Sequence, residues 1–219
     1  IENIYIEVDH MKANGIFDPA HVFYEESKQA LTERYAQHNI KAFFDDGWAN
    51  SPPNGGGQAL MHYEQLSQDS GMILQYYKNY FPDERKGGFI YCLLGHKGGY
   101  QHPAKGNVYD AISFWTTPFS IFNAGQLLFR FIGYGQTPSP RGVRVAVAGS
   151  LLHELGHFGG LTNDYFEGVD NADYNPGGAT FNILQGSEYR ETWGQYHSVM
   201  NYAYIYRSNV LDYSDGSNG

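Results

Sequence analysis

Two histidines lie four residues apart at His153 and His157, and Glu154 directly follows the first. On a helix, residues four apart project from the same face about one turn apart, so both imidazoles can reach one metal ion. The carboxylate of Glu154 is then placed to act on a water molecule held by that ion. This H-E-x-x-H spacing predicts a hydrolytic zinc site.

H-E-x-x-H also occurs by chance on ordinary amphipathic helices, so its context has to support it. Residues 141–152 are small and apolar enough to form a helix packed into a core. Gly159 and Gly160 follow where that helix has to stop and turn, and glycine readily takes the left-handed conformation that ends helices. Ser-Val-Met-Asn-Tyr follows at 198–202. Together these features favour a metal site over chance.

The pattern His153-Glu154-x-x-His157-x-x-Gly160, followed by Ser-Val-Met-Asn-Tyr, resembles the metzincin clan of zinc endopeptidases. In that clan the motif continues to a third ligand, a histidine or an aspartate, and a methionine-containing turn lies under the metal. The match covers the last third of the chain and assigns no particular family within the clan. Snapalysin-like members are nearest in one respect, since their third ligand is an aspartate.

The resemblance implies an α/β (α+β) fold with a twisted mixed sheet and two long helices above the cleft, the second helix carrying the motif. An irregular lower subdomain would carry the methionine turn. We therefore expect one catalytic domain with an upper subdomain at 1–160 and a lower one at 161–219. The implied activity is zinc-dependent hydrolysis of peptide or protein substrates. Clan members are usually secreted, so the resemblance implies an extracellular protein whose leader preceded Ile1.

The third-ligand position departs from the pattern, because the residue six after His157 is Asn163. An amide oxygen is a poor zinc ligand beside a carboxylate or an imidazole. Asp164 follows immediately, is chemically better suited, and could be reached by a one-residue shift after two glycines. We favour Asp164 and keep Asn163 as the alternative. Both residues are also common in turns for their own backbone hydrogen bonds.

Each residue of the predicted site has an expected role. His153 and His157 would bind Zn²⁺ as neutral imidazoles, and Glu154 would act as the general base. Met200 would form an apolar floor without bonding the metal. By resemblance to astacins and serralysins, Tyr202 would bind the metal at rest or donate a hydrogen bond to the oxyanion. A core tyrosine is the alternative for Tyr202 in a chain with 19 tyrosines.

Composition limits the remaining classes of function. A length of 219 residues suits one sizeable core, and a net charge of −9 argues against a nucleic-acid partner. Cys92 is the one cysteine, so no intrachain disulfide can form, and its apolar setting predicts a buried strand residue rather than a nucleophile. No stretch of the sequence has the length and hydropathy of a transmembrane helix.

The order of predicted elements is that of an α/β protein with one mixed sheet. Asp18-Pro19 has the form of a helix start, an N-cap followed by proline. Residues 45–57 predict a loop, in which Gly55–Gly57 would allow a linker or a close backbone approach. By analogy with the clan, the 108–115 segment is our candidate for the edge strand that pairs with substrate. Strands are predicted at 4–8, 40–44, 88–94 and 108–115, and residues 61–80 are predicted to be mostly helical, with Ser70-Gly71 as the one point of interruption.

Two other functions fit parts of the sequence. A catalytically degenerate zinc-binding module would explain the weak third-ligand position, although it would not need Glu154. A gluzincin-type metallopeptidase could take its third ligand from Glu188 or Glu191, but it leaves the methionine turn unexplained. Structural Ca²⁺ could bind the acidic segments 168–173 or 212–219, although a solvated loop is the simpler interpretation of each.

Overall fold

The central strand, β1, spans Glu2–Met11 in a computed structural model of the chain. The structure describes residues 2–15, 20–52, 55–63, 66–67, 72–96, 98–99, 101–102, 106–107, 111–114, 119–123, 140–162, 164–166, 169, 196–201, 204 and 211–214. The longer elements after β1 are α1 (Glu25–Gln37), β2 (Ile40–Asp45), α2 (Met72–Tyr80), β5 (Ile90–Gly95), β9 (Ala111–Phe114), β10 (Phe119–Asn123) and α3 (Pro140–Phe158). The short elements are β3 (Ala59–Leu60), β4 (Leu66–Ser67), β6 (Gly98–Gly99), β7 (Gln101–His102), β8 (Gly106–Asn107) and a 3₁₀ turn at Asp83–Arg85.

The main sheet has the strand order β2-β1-β5-β10-β9, with β3 paired to the end of β1. All of its pairings are parallel except the last, between β10 and β9. Parallel pairing needs crossover connections, and α1 supplies the one between β1 and β2. The fold is therefore mixed α/β with a sheet dominated by parallel pairs, as the sequence predicted in outline.

The two faces of the sheet carry different side chains because side chains alternate along a strand. On β1, Ile6 and Val8 join the apolar core that also contains residues of α1 and α3. Glu7 and Asp9, which alternate with them along the strand, point to the opposite face, where a smaller apolar cluster includes Tyr76 of α2. The helix that carries the predicted site thus packs on the same face as α1.

Helix α1 begins later than predicted, at Glu25. In the segment before it, His21 and Phe23 are buried whereas Val22 is exposed, which is the alternation of extended chain. The reason is tertiary, since the backbone N–H of His21 donates to the carbonyl of Met11 at 3.2 Å and holds the segment against β1. The predicted start at Asp18-Pro19 lies outside the described residues.

The predicted strands agree with the structure except at their ends, but the short strands β3, β4, β6, β7 and β8 and the longer β10 were not predicted. The helical prediction for 61–80 was wrong in its first part: residues 61–63 form neither helix nor strand, Leu66–Ser67 form β4, and the helix begins at Met72. The segment 108–115 contains β9, which occupies an end of the main sheet. Strand β10 was missed, although it links β5 to β9.

The close approach predicted for the triple glycine is present, because a Cβ at Gly56 would overlap the carbonyl of Asp45. Among the described residues, no helix is long and apolar enough to cross a membrane.

The polar face of β1 holds a buried ion cluster. Arg85 donates to Glu7 at 2.9 Å and to Asp45 at 2.5 Å. Burial raises the pKa of Glu7 to about 8, and the neighbouring Asp9 adds to the shift. Burial also raises the pKa of Asp9 to about 7, against a hydrogen bond from Tyr91 at 3.0 Å. The single positive charge of Arg85 cannot neutralise all three carboxyl groups of this cluster. Glu7 and Asp9 therefore retain protons near neutral pH.

We expect the protein to lose stability as the pH rises from about 5 to about 8. The folded state keeps protons on Glu7 and Asp9 that the unfolded chain releases at the ordinary carboxyl pKa, so the free energy of unfolding falls across this interval. Urea denaturation at several pH values measures it. Glu7→Gln should reduce the slope, whereas the exposed control Glu84→Gln should not. An unchanged slope in Glu7→Gln would contradict the assignment.

Candidate metal centre

Helix α3 positions the motif because its small apolar residues are buried and its end is fixed by glycine. Its core contacts are made by Ala146, Val147, Ala148, Leu151, Leu152 and Leu155. The helix ends at Phe158, and Gly160 has a φ of +87°. The N–H of Leu161 then donates to the carbonyl of Gly156 at 3.0 Å, which satisfies a carbonyl at the helix end. The predicted glycine stop is confirmed.

Both motif histidines are oriented by backbone carbonyls. Nδ1 of His153 lies 2.9 Å from the carbonyl oxygen of Val199, and Nδ1 of His157 lies 2.8 Å from that of Leu161. A carbonyl oxygen can only accept, so each Nδ1 carries the proton and donates it. In neutral rings the Nε2 atoms are then the unprotonated nitrogens, which could bind a metal ion. Metal-ligating histidines typically show this arrangement.

The two Nε2 atoms face each other at 3.1 Å, and the rings are perpendicular with centroids 4.7 Å apart. Two nitrogens that each lie about 2.0–2.1 Å from one tetrahedral zinc are about 3.4 Å apart. His153 is 1% exposed and Glu154 5% exposed. Ligand atoms of His153, Glu154 and His157 all lie within 4.8 Å of one another, and these three residues could hold a metal ion.

Met200 lies against the helix between the two histidines. A Cβ added at Gly156 would come within 2.5 Å of Sδ of Met200 and 2.8 Å of Cε1 of Tyr213. Met200 and Val199 are fully buried, and the N–H of Asn201 donates to the carbonyl of Ser198 in a turn. Val199 and Met200 therefore form an apolar support under this helix turn, and the role of Met200 as a floor beneath a metal ion stays a prediction. Gly156 provides the space for it.

Tyr213 was not predicted to matter, yet it ties the C-terminal segment to both long helices. Its hydroxyl donates to the carbonyl of Leu152 at 2.6 Å and lies 3.1 Å from the hydroxyl of Tyr35. The preceding Asp212 forms ion pairs with Arg34 and His38 at 2.7 and 2.8 Å. The predicted solvated or calcium-binding tail is thus docked on α1 in its described part, 211–214. Its Asp212 carboxylate is engaged by basic side chains.

The structure brings together only part of the predicted site. Asp164 is exposed, lies in a turn after the helix and does not join the His153 group. Asn163 and Tyr202 lie outside the described residues, as do Glu188 and Glu191. The exposed Asp164 is followed by two exposed aromatic residues, Tyr165 and Phe166. The identity of the third ligand therefore stays a prediction.

Cys92 is a core residue, as predicted from its apolar neighbours. It lies in β5 and is fully buried. Burial raises the pKa of its thiol well above the ordinary value, and the negative charges of Glu154 and Asp9 contribute. A thiolate nucleophile is therefore strongly disfavoured at this position.

Comparison of the chain with protein-family models, with curated proteins and with solved structures finds no match.

Gly156→Ala should destabilise the protein because the added methyl group collides with Met200 and Tyr213. Overpacking costs about 1–3 kcal/mol, which exceeds the helix-propensity gain of about 1 kcal/mol for Ala over Gly. Thermal unfolding measures the difference. Gly88→Ala is the matched control, since its Cβ would meet only the carbonyl of Arg85 at 3.8 Å. Adding Met200→Ala should partly relieve the clash, and purely additive effects would argue against this contact.

Proposed function

We propose that the protein is a zinc-dependent endopeptidase. The observation that carries the proposal is the pair of Nε2 atoms 3.1 Å apart, with both Nδ1 atoms bonded to carbonyls. Two unprotonated nitrogens at this distance repel unless a cation lies between them. His153 is buried, His157 is half-buried and Glu154 lies close to both, so the pair is better suited to binding a metal ion than to forming a structural hydrogen bond between the rings.

The residues fit Zn²⁺ in donor type and in orientation. Imidazole nitrogen is an ordinary zinc ligand, and the carbonyls of Val199 and Leu161 hold each ring in the tautomer that zinc needs. A zinc ion held there would lower the pKa of its bound water and polarise the scissile carbonyl. A carboxylate oxygen of Glu154 would accept the proton of the attacking water and pass it to the leaving amine.

The edge of the main sheet beside α3 supports the proposal, because it offers a place where a peptide substrate could bind. Strand β9 lies at an end of the main sheet and is its one antiparallel strand among those the structure describes. It also contacts α3. An extended peptide can add to such an edge through main-chain hydrogen bonds. The motif on a helix beside an antiparallel edge strand, together with the methionine turn, favours a metzincin-like enzyme that acts on peptide or protein substrates outside the cell.

The lack of an assigned third metal ligand is compatible with one competing function, a zinc-binding module that does not catalyse hydrolysis. Asp164 is exposed and apart from the His153 group, so a zinc-binding module without turnover has a physical basis. Glu154 argues against it, because a buried carboxylate is costly to keep where no proton is transferred. Tyr202, two residues after Met200, is our proposed oxyanion donor, and a degenerate module would have no use for it.

Glu154→Gln should keep zinc and lose hydrolysis. The amide preserves the shape of the side chain but cannot accept the proton, so we expect kcat to fall about 10²–10⁴-fold. Casein cleavage and zinc content measure the two properties separately. Glu33→Gln, on the exposed side of α1, is the matched control and should behave like the wild type. Full activity in Glu154→Gln would refute the mechanism, and zinc-loaded wild type without activity on any peptide would favour the binding module.

The third ligand can be identified from zinc affinities of Asn163→Ala and Asp164→Ala. If Asp164 binds the metal, its loss should weaken zinc binding at least tenfold, while Asn163→Ala should have a small effect, since an amide oxygen is a poor zinc ligand. Competition with a chromogenic chelator measures both. Unchanged affinity in both variants would place the third ligand elsewhere in the chain.

A further inference from the structure

A second group of histidines lies where three strands of the main sheet end. His96 directly follows β5, and His62 follows β3 after one residue. His21 is held beside the end of β1, because its N–H donates to the carbonyl of Met11. The three strands are parallel, so their carboxyl ends meet at one edge of the sheet. Ligands of open α/β sheets commonly bind at such edges.

The three rings are close to one another and are shielded from solvent. Nδ1 of His96 lies 3.3 Å from Nε2 of His21. The ring centroid of His62 lies 5.1 Å from that of His96 and 6.3 Å from that of His21. His21 and His96 are 6% and 8% exposed, and both ring nitrogens of His62 are buried. No sequence motif joins these residues, which are separated by 41 and 34 positions.

We propose that His21, His62 and His96 form a second, structural site for a transition-metal ion such as Zn²⁺. The 3.3 Å separation of the His21 and His96 nitrogens matches that of two ligands on one tetrahedral zinc, about 3.4 Å. The ligand atoms of these three rings lie farther apart than those of His153, Glu154 and His157, which are all within 4.8 Å of one another. Binding of one ion by all three rings therefore requires the side chain of His62 to turn toward the other two, and residues 61–63 belong to no helix or strand that would oppose this.

Imidazole is the ligand type that zinc, copper and nickel share, whereas magnesium and calcium prefer oxygen. An ion at this point would link the residues that follow β3 and β5 to the segment held beside the end of β1. Because it binds the folded chain, it would also raise the stability of the fold. This inference does not depend on peptidase activity.

Zinc stoichiometry tests the proposal. After equilibration with excess Zn²⁺ and dialysis, the wild type should hold two zinc ions per chain. His96→Ala and His62→Ala should each hold one, as should His157→Ala, which lacks a ligand of the other site. His38→Ala is the control, because this exposed histidine pairs with Asp212, and it should keep two ions.

Two further measurements keep the test decisive. Zinc should raise the melting temperature of His157→Ala, whose remaining site would be the three histidines. The double variant His157→Ala/His62→Ala should lose this response. His62 is chosen for the double variant because it lies in a loop, where a substitution disturbs folding less than at His96, which directly follows β5. If His62→Ala and His96→Ala bind as much zinc as the wild type, the three rings form only a hydrogen-bonded cluster and the proposal is wrong. If the wild type binds one ion that His157→Ala retains, the second site stands and the peptidase centre fails.

Discussion

The hydrogen bond between Nδ1 of His153 and the carbonyl of Val199 joins two parts of the chain that lie 46 residues apart. It fixes the ring of the first predicted ligand and, through the same turn, places Met200 against Gly156. The helix can come this close only because residue 156 has no side chain. The orientation of the His153 ring therefore depends on tertiary contact with the segment 198–201, in addition to the helix that carries it.

The second histidine is oriented locally, by the carbonyl of Leu161 just after the helix end. The left-handed Gly160 makes that possible, since it turns the chain back so that Leu161 contacts the last helical turn. Gly160 therefore both ends the helix and allows the chain to orient the ring of His157. A substitution that extended the helix past Gly160 would move the carbonyl away from His157 and free its ring.

The sheet separates two kinds of interior. One face is apolar and packs α1 and α3, which fixes the motif helix relative to the strands. The other face buries Arg85 with Glu7 and Asp45, and Asp9 beside them; Glu7 and Asp9 keep protons near neutral pH because burial disfavours their charge. Packing on the apolar face holds the motif helix in place. The buried carboxyl groups on the opposite face are expected to make the free energy of unfolding depend on pH.

The sequence by itself determined the elements whose signal is local. Alternation on β1 and β2, the apolar run of α3, its glycine stop and the His153–His157 spacing all follow from neighbours within a few residues, and the structure agrees with them. Strand β10, the late start of α1 at Glu25, the docking of Tyr213 and the grouping of His21 with His62 and His96 depended on tertiary structure. Each of these rests on contacts between distant segments, and such contacts leave no periodic pattern in either segment alone.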